Sequence, residues 1–225
     1  MTDQATRGRL TFLVGFAAYF AVIWWFWDTQ WVYPLKMFVV LLHELSHGLV
    51  AVVTGGYIDK IVLDPAEGGA CHCPGGSAFL TLSAGYLGSL VWGGLLVIGG
   101  HELRRWSRPI TLVIGLAVVA LSVAYVRGSF GLVFGVLFGL SLVATGRLLP
   151  AVANRVVLTT LGLTSCLYAL LDIKSDVIDR PELQSDARML AEMTGVPTLV
   201  WGGLWILVAL AFSGLLLRRA YRKSA

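Results

Sequence analysis

Seven apolar runs, each about as long as a helix needs to be to cross a bilayer, follow one another along the chain with short polar breaks between them. They lie near 10–27, 31–54, 79–99, 110–126, 130–149, 156–173 and 197–217. Hydrocarbon offers the backbone no hydrogen-bond partner, and a helix satisfies its own within a single segment. The expected fold is therefore all-α and polytopic, with six to seven transmembrane helices. Composition agrees: 57% of residues are hydrophobic and 13% charged, where a soluble domain carries roughly a quarter charged residues. No polar stretch is long enough for a second core, so residues 1–225 are expected to form a single membrane-embedded domain. The polar residues 1–9 lead into the first run without a small-residue cleavage pattern, which reads as a retained first helix. Arg127-Gly128 alone separates the fourth and fifth runs and predicts a tight helical hairpin. The net charge of +4 resides on Lys and Arg at segment ends, which suits lipid headgroups and argues against nucleic acid as a partner.

Against that background His43-Glu44-Leu45-Ser46-His47 stands out, because an H-E-x-x-H sequence occupies the middle of an apolar run. On a helix two histidines four apart project from one face a turn apart, so both imidazoles can bind one Zn²⁺ with Glu44 beside the open position. With only 4 histidines in 225 residues, chance would produce the pattern about once in a thousand such sequences. Ionisable groups are also expensive inside a membrane, which marks the segment as functional. The bland alternative is a pair of core histidines bonded to neighbouring helices.

Catalytic zinc takes three protein ligands and keeps a fourth position for water, so the two histidines require a partner from elsewhere. Asp172, Asp176 and Asp179 follow the sixth run at i, i+4 and i+7 and share one helical face. Should the helix continue to Pro181, Asp172 lies deepest and is the expected third ligand, with Asp176 next and Asp179 a solvated helix end.

Two longer loops flank this chemistry. Residues 55–77 contain the alternating stretch from Tyr57 to Asp64 and a Gly-rich continuation, which suits a short β-hairpin or re-entrant segment to which an extended substrate could add as a strand. Residues 174–196 carry apolar positions at 187, 190 and 193, the pattern of a short helix on the membrane surface. Cys71-His72-Cys73 matches no standard zinc spacing, and its two cysteines can be bridged only with strain. The run from Ser83 to Ser89, and Gly131, Gly135 and Gly139 at every fourth position, read as close helix packing through small residues.

An H-E-x-x-H on an early membrane helix, a strand-like loop after it, a Gly-rich third helix and an aspartate on a later one together resemble the site-2 protease class of zinc metallopeptidases, the M50 family. The stretch Asp172-Ile173…Asp176…Ser185-Asp186-Ala187…Thr194-Gly195-Val196-Pro197 narrows the resemblance to the M50B-like branch, and the similarity covers nearly the whole chain. It implies that His43, His47 and Asp172 hold zinc and that Glu44 activates water. Better-studied members carry Leu-Asp-Gly at the aspartate, whereas this chain has Leu171-Asp172-Ile173.

The expected activity is that of an intramembrane zinc metalloprotease acting on membrane-anchored protein substrates, in the cytoplasmic membrane of a bacterium. Its substrate helix must unwind locally, because intact helical peptide bonds are shielded. Two other classes fit parts of the pattern: a zinc-binding pseudoprotease that holds membrane helices without cutting them, and an ion or proton transporter using the intramembrane His, Glu and Asp. The arginines at 104, 105, 108, 147, 155, 218, 219 and 222 fall on one side of a seven-helix arrangement and favour a cytoplasmic C-terminus, while Arg7 and Arg9 argue the opposite for the N-terminus.

Overall fold

The computed structural model describes residues 2–223. In chain order these form α1 (Thr2–Trp25), α2 (Tyr33–Val53), a hairpin of β1 (Lys60–Asp64) and β2 (Gly68–His72), then α3 (Ala78–His101) and a 3₁₀ turn at Arg104–Trp106. After it come α4 (Ser107–Tyr125), β3 (Val126–Arg127), α5 (Ser129–Leu148) and α6 (Ala151–Lys174), whose last turn widens into a π-helical turn at Ser175–Asp179. The short α7 (Asp186–Thr194) and the long α8 (Thr198–Lys223) complete it. Among the described residues six helices are long and apolar enough to cross a membrane, namely α2 to α6 and α8. The apolar part of α1, Leu13–Trp25, falls short of that length. The protein is an all-α polytopic membrane protein.

The expected hairpin loops both form, and they meet. β1 pairs antiparallel with β2, Lys60 opposite His72 and Asp64 opposite Gly68, and on its other side runs parallel to β3, Ile61 beside Val126. The break between α4 and α5 thus contributes a strand as well as a turn, with Gly128 at φ +90° supplying the reversal. Small residues set the helix spacing as expected. Gly135 lies against Ser122, Gly139 against Gly115 and Val119, and Gly93 of α3 against Gly162 and Cys166 of α6. Gly131 departs from helix-to-helix packing and abuts Leu63 of β1.

Because α3 and α6 run antiparallel, Tyr86 near the start of one meets Asp176 beyond the end of the other, and Gly100 near the end of α3 meets Arg155 and Thr159 near the start of α6. α2 is the most enclosed of the spans, with Met37, Phe38 and Val39 wholly buried and Phe38 stacked on Phe138 of α5 at 4.9 Å. It begins with Pro34, whose fixed φ suits a first turn. Lys36 in that turn is buried and reaches Glu67 at the hairpin tip at 3.0 Å, while its ammonium lies over the Trp27 ring.

α7 lies at the surface with Met189 and Met193 exposed, but one face of it is buried in the protein. Ala187 and Leu190 have no exposed area and pack with Tyr86, Ile173, Val177 and Trp205. The helix is defined locally at both ends: the Ser185 hydroxyl accepts from the Arg188 N–H, and Gly195 closes the helix at φ 74°. Its apolar face turns inward, and that face carries Asp186 with it.

Candidate metal centre

His43 and His47 lie one turn apart on α2, as their spacing dictates, with ring centroids 4.8 Å from one another. The Nε2 atoms of both converge on one oxygen, Oδ2 of Asp186, at 3.0 and 3.1 Å. Together the three residues offer ligand atoms that all lie within 4.8 Å of one another, the grouping able to hold a metal ion. Burial by itself would raise the Asp186 carboxyl, but His47 and His43 against it outweigh that and hold it well below the usual carboxylate range. It is an anionic oxygen facing two imidazole nitrogens.

The space between these atoms is kept clear by a missing side chain. Gly85 of α3 faces the pair, and a Cβ built there would fall against His43 Nε2 and 2.6 Å from His47 Nε2. A metal bound by histidine sits about 2.0–2.1 Å from the nitrogen, so the volume a methyl group would take is the volume an ion needs. The donor set of two imidazoles and one carboxylate suits zinc as well as other borderline divalent metals.

Each histidine also has an acceptor near its other nitrogen. His47 Nδ1 lies 2.6 Å from the Thr81 carbonyl oxygen, which fixes the tautomer that leaves Nε2 free to ligate. Asp172 Oδ2 lies 3.6 Å from His43 Nδ1. Asp172, the expected third zinc ligand, stands near Nδ1 of the His43 ring, whereas Asp186 is the carboxylate that faces both Nε2 atoms. The physical reason lies downstream of Asp172. The chain widens into the π turn, breaks before Pro181 and returns through α7, whose buried face brings Asp186 in from the other side. Asp176 accepts from the Tyr86 hydroxyl at 2.6 Å and pairs with Arg180, while Asp179 bonds the exposed Lys174.

Glu44 is 6% exposed, lines the same cavity as the two histidines and lies against Gly69 of β2. Gly69 leaves room for its carboxylate: a Cβ on Gly69 would fall 2.7 Å from Glu44 Oε1. Cys71 and Cys73 are joined as a disulfide, so Cys71-His72-Cys73 forms no second metal cluster among the described residues.

A cavity of about 860 Å³ opens over this arrangement. Its walls include His43, Glu44 and His47, the strand from Gly68 to Cys71, and the polar groups of Asp172, Asp176, Arg180 and Asp186. His43 lines it ten residues from the start of α2, about 15 Å along the axis, so the polar cavity reaches well into a helix that crosses the membrane. A family-wide sequence profile, Peptidase M50B-like, matches residues 16–216, which spans every element of the site.

The chain belongs to the Peptidase M50B-like family.

Comparison with curated proteins and with solved structures finds no match. Membership of this membrane metallopeptidase family accords with what the cavity contains: a metal-ligand group, a carboxylate beside it, and a strand edge, all within a helical membrane protein. Sequence reasoning had found His43, Glu44 and His47 and quoted Asp186 within the stretch that narrowed the family. It had not found Gly85 as the residue that clears the ion's volume, nor Gly69 as the one that admits Glu44. The signals were present, since both glycines lie in small-residue runs next to the elements they face.

Proposed function

We propose that this protein is a zinc-dependent intramembrane endopeptidase that hydrolyses peptide bonds in or near the transmembrane segments of membrane-anchored proteins in a bacterial cytoplasmic membrane. The observation that carries the reading is the convergence of His43 and His47 Nε2 on Asp186 beside the gap at Gly85, with Glu44 on the same helix facing the cavity. In this reading His43, His47 and Asp186 hold the metal. Bound there, zinc supplies Lewis acidity at neutral pH.

The remaining work falls to the chain. Glu44 accepts a proton from the attacking water and returns it to the leaving amine, so its carboxylate serves in turn as base and acid. Its approach to β2 at Gly69 sets its direction. Thr81 and Asp172 hold the two imidazole rings from behind. A substrate segment, unwound because helical peptide bonds are shielded, can lie extended along the cavity wall formed by β2, whose partner β1 is already satisfied on both sides. The polar groups from Glu67 to Asp186 admit water to a depth where lipid would exclude it.

The test is a cleavage assay in liposomes on a panel of single-span proteins whose helices contain weakening residues. Wild-type protein and Glu44→Gln are compared at equal zinc occupancy. Cleavage by the wild type alone supports the protease; bound zinc with no cleavage by either protein overturns it in favour of a non-cleaving helix binder. Ion flux through the wild type without bound zinc would favour a transporter instead.

A further inference from the structure

We propose that a second cleft, at the opposite end of the bundle from His43, binds the phosphate headgroup of an anionic phospholipid. Gly100 is fifteen residues beyond Gly85 on α3, about 22 Å along the axis. There the end of α3, the 3₁₀ turn and the first turns of α6 border an open cleft of about 340 Å³ lined by His101, Arg104, Arg155, Thr159 and Thr160 together with Val152 and Val156. No carboxylate is among its lining residues.

Several arginines elsewhere in the protein have oxygen partners. Arg219 holds Glu102, Arg188 holds Glu192, Arg180 holds Asp176, and Arg108 donates to the carbonyls of Gly146 and Arg147. Arg155 differs. Its Nε is buried and has no hydrogen-bond acceptor among the described residues. A buried N–H left without an acceptor is costly, and Arg104 adds a second, exposed guanidinium to the same cleft, steadied by its Nε bond to the His101 carbonyl at 3.1 Å. Two guanidinium groups and two threonines among the lining residues suit a phosphate group, which accepts several hydrogen bonds at once.

The surroundings decide between a lipid and a soluble anion. Val152 and Val156 lie one turn apart on α6 and are 58% and 60% exposed, an apolar strip leading from the cleft along a membrane-spanning helix. Arg155 is four residues into that helix, about 6 Å from its start, which is headgroup depth when the helix crosses a bilayer. A phospholipid can place its phosphate on the arginines and its chains along the valines; a free phosphate uses only half of what is offered. Basic pockets between helix ends are a common way of holding such headgroups.

The experiment is native mass spectrometry of the intact protein in detergent, titrated with phosphatidylglycerol or phosphatidylcholine, for the wild type, Arg155→Gln, Arg104→Gln, Arg155→Lys and Arg105→Gln. Arg105 is exposed and does not line the cleft. The expected result is a retained phosphatidylglycerol adduct that phosphatidylcholine does not match, weakened roughly five- to tenfold by either glutamine substitution in the cleft, largely restored by Arg155→Lys and unaffected by Arg105→Gln. Thermal denaturation of each variant separates loss of binding from loss of fold. Equal binding of the two lipids, or equal effects of Arg155→Gln and Arg105→Gln in folded protein, overturns the proposal. Displacement by inorganic phosphate without any lipid preference also overturns it, in favour of a soluble-anion site.

Discussion

At the residue scale the question is which atoms a metal would touch. Asp186 Oδ2 faces both Nε2 atoms, while Asp172 faces the Nδ1 of only one ring. Removing a ligand and removing its support have different signatures. Asp186→Ala, like His43→Ala or His47→Ala, is expected to abolish stoichiometric zinc binding, whereas Asp172→Asn should keep one zinc per chain at about 10- to 100-fold weaker affinity; metal analysis after competition with a chelator distinguishes the two. If Asp172→Asn loses zinc as completely as Asp186→Ala, the ligand assignment is wrong. Gly85→Ala gives an independent check, since its methyl falls where the ion would sit. It should lose zinc binding while Gly203→Ala, whose Cβ meets nothing within 4 Å, keeps it. The motif spacing alone was enough to place His43, Glu44 and His47. Asp186 was harder to read, because a capped helix with apolar positions at 187 and 190 looks the same in sequence whether its apolar face meets lipid or a protein core.

At the element scale the hairpin matters most to the proposed chemistry, because β2 supplies both the gap at Gly69 that admits Glu44 and a wall of the cavity. Its alternating pattern was legible in residues 57–64, but its third strand was not: two residues between α4 and α5 carry no periodicity from which pairing could be inferred. The tip is tied down by an asymmetric ion pair. The Lys36 side chain is 5% exposed and that of Glu67 is 34%. Removing Glu67 leaves the buried Lys36 ammonium only the exposed Asp28 carboxylate at 3.9 Å and the Trp27 ring, whereas removing Lys36 leaves a carboxylate that water can reach. Glu67→Gln is therefore expected to destabilise the protein by about 1–3 kcal/mol, and Lys36→Met by less than about 1 kcal/mol. Chemical denaturation in mixed micelles measures both. Amide exchange across residues 60–72 should rise more in Glu67→Gln, since Tyr168 also contacts the tip through the Glu67 carbonyl.

At the scale of the whole molecule the membrane-spanning bundle and the site share one seam. α3 provides Gly85, Thr81 and Tyr86 to the site, and α6 provides Asp172 and Asp176. The two helices approach through Gly93 and Gly162, where a Cβ on Gly162 would fall 2.6 Å from the Gly93 carbonyl oxygen and 2.8 Å from the Val97 nitrogen. Hydrocarbon lipid gives apolar side chains little reason to prefer one another, so such close backbone approach is a main source of helix association in a membrane. A side chain at this seam cannot be accommodated by a rotamer change, since the obstacles are backbone atoms, and the helices must separate. Separation at Gly162 tilts α6 against α3 and carries Asp172 and Asp176 away from His43 and Tyr86. Gly162→Val is therefore expected both to lower the thermal midpoint in detergent and to weaken zinc binding, although position 162 is about 15 Å along α6 from Asp172. Gly214→Val on α8, where a Cβ meets nothing within 4 Å, should do neither. Titration of zinc into each purified variant, alongside its melting curve, makes the comparison. A Gly162→Val protein that melts early yet binds zinc as the wild type does would mean that α2 and α7 alone set the metal centre and that α6 serves only the fold.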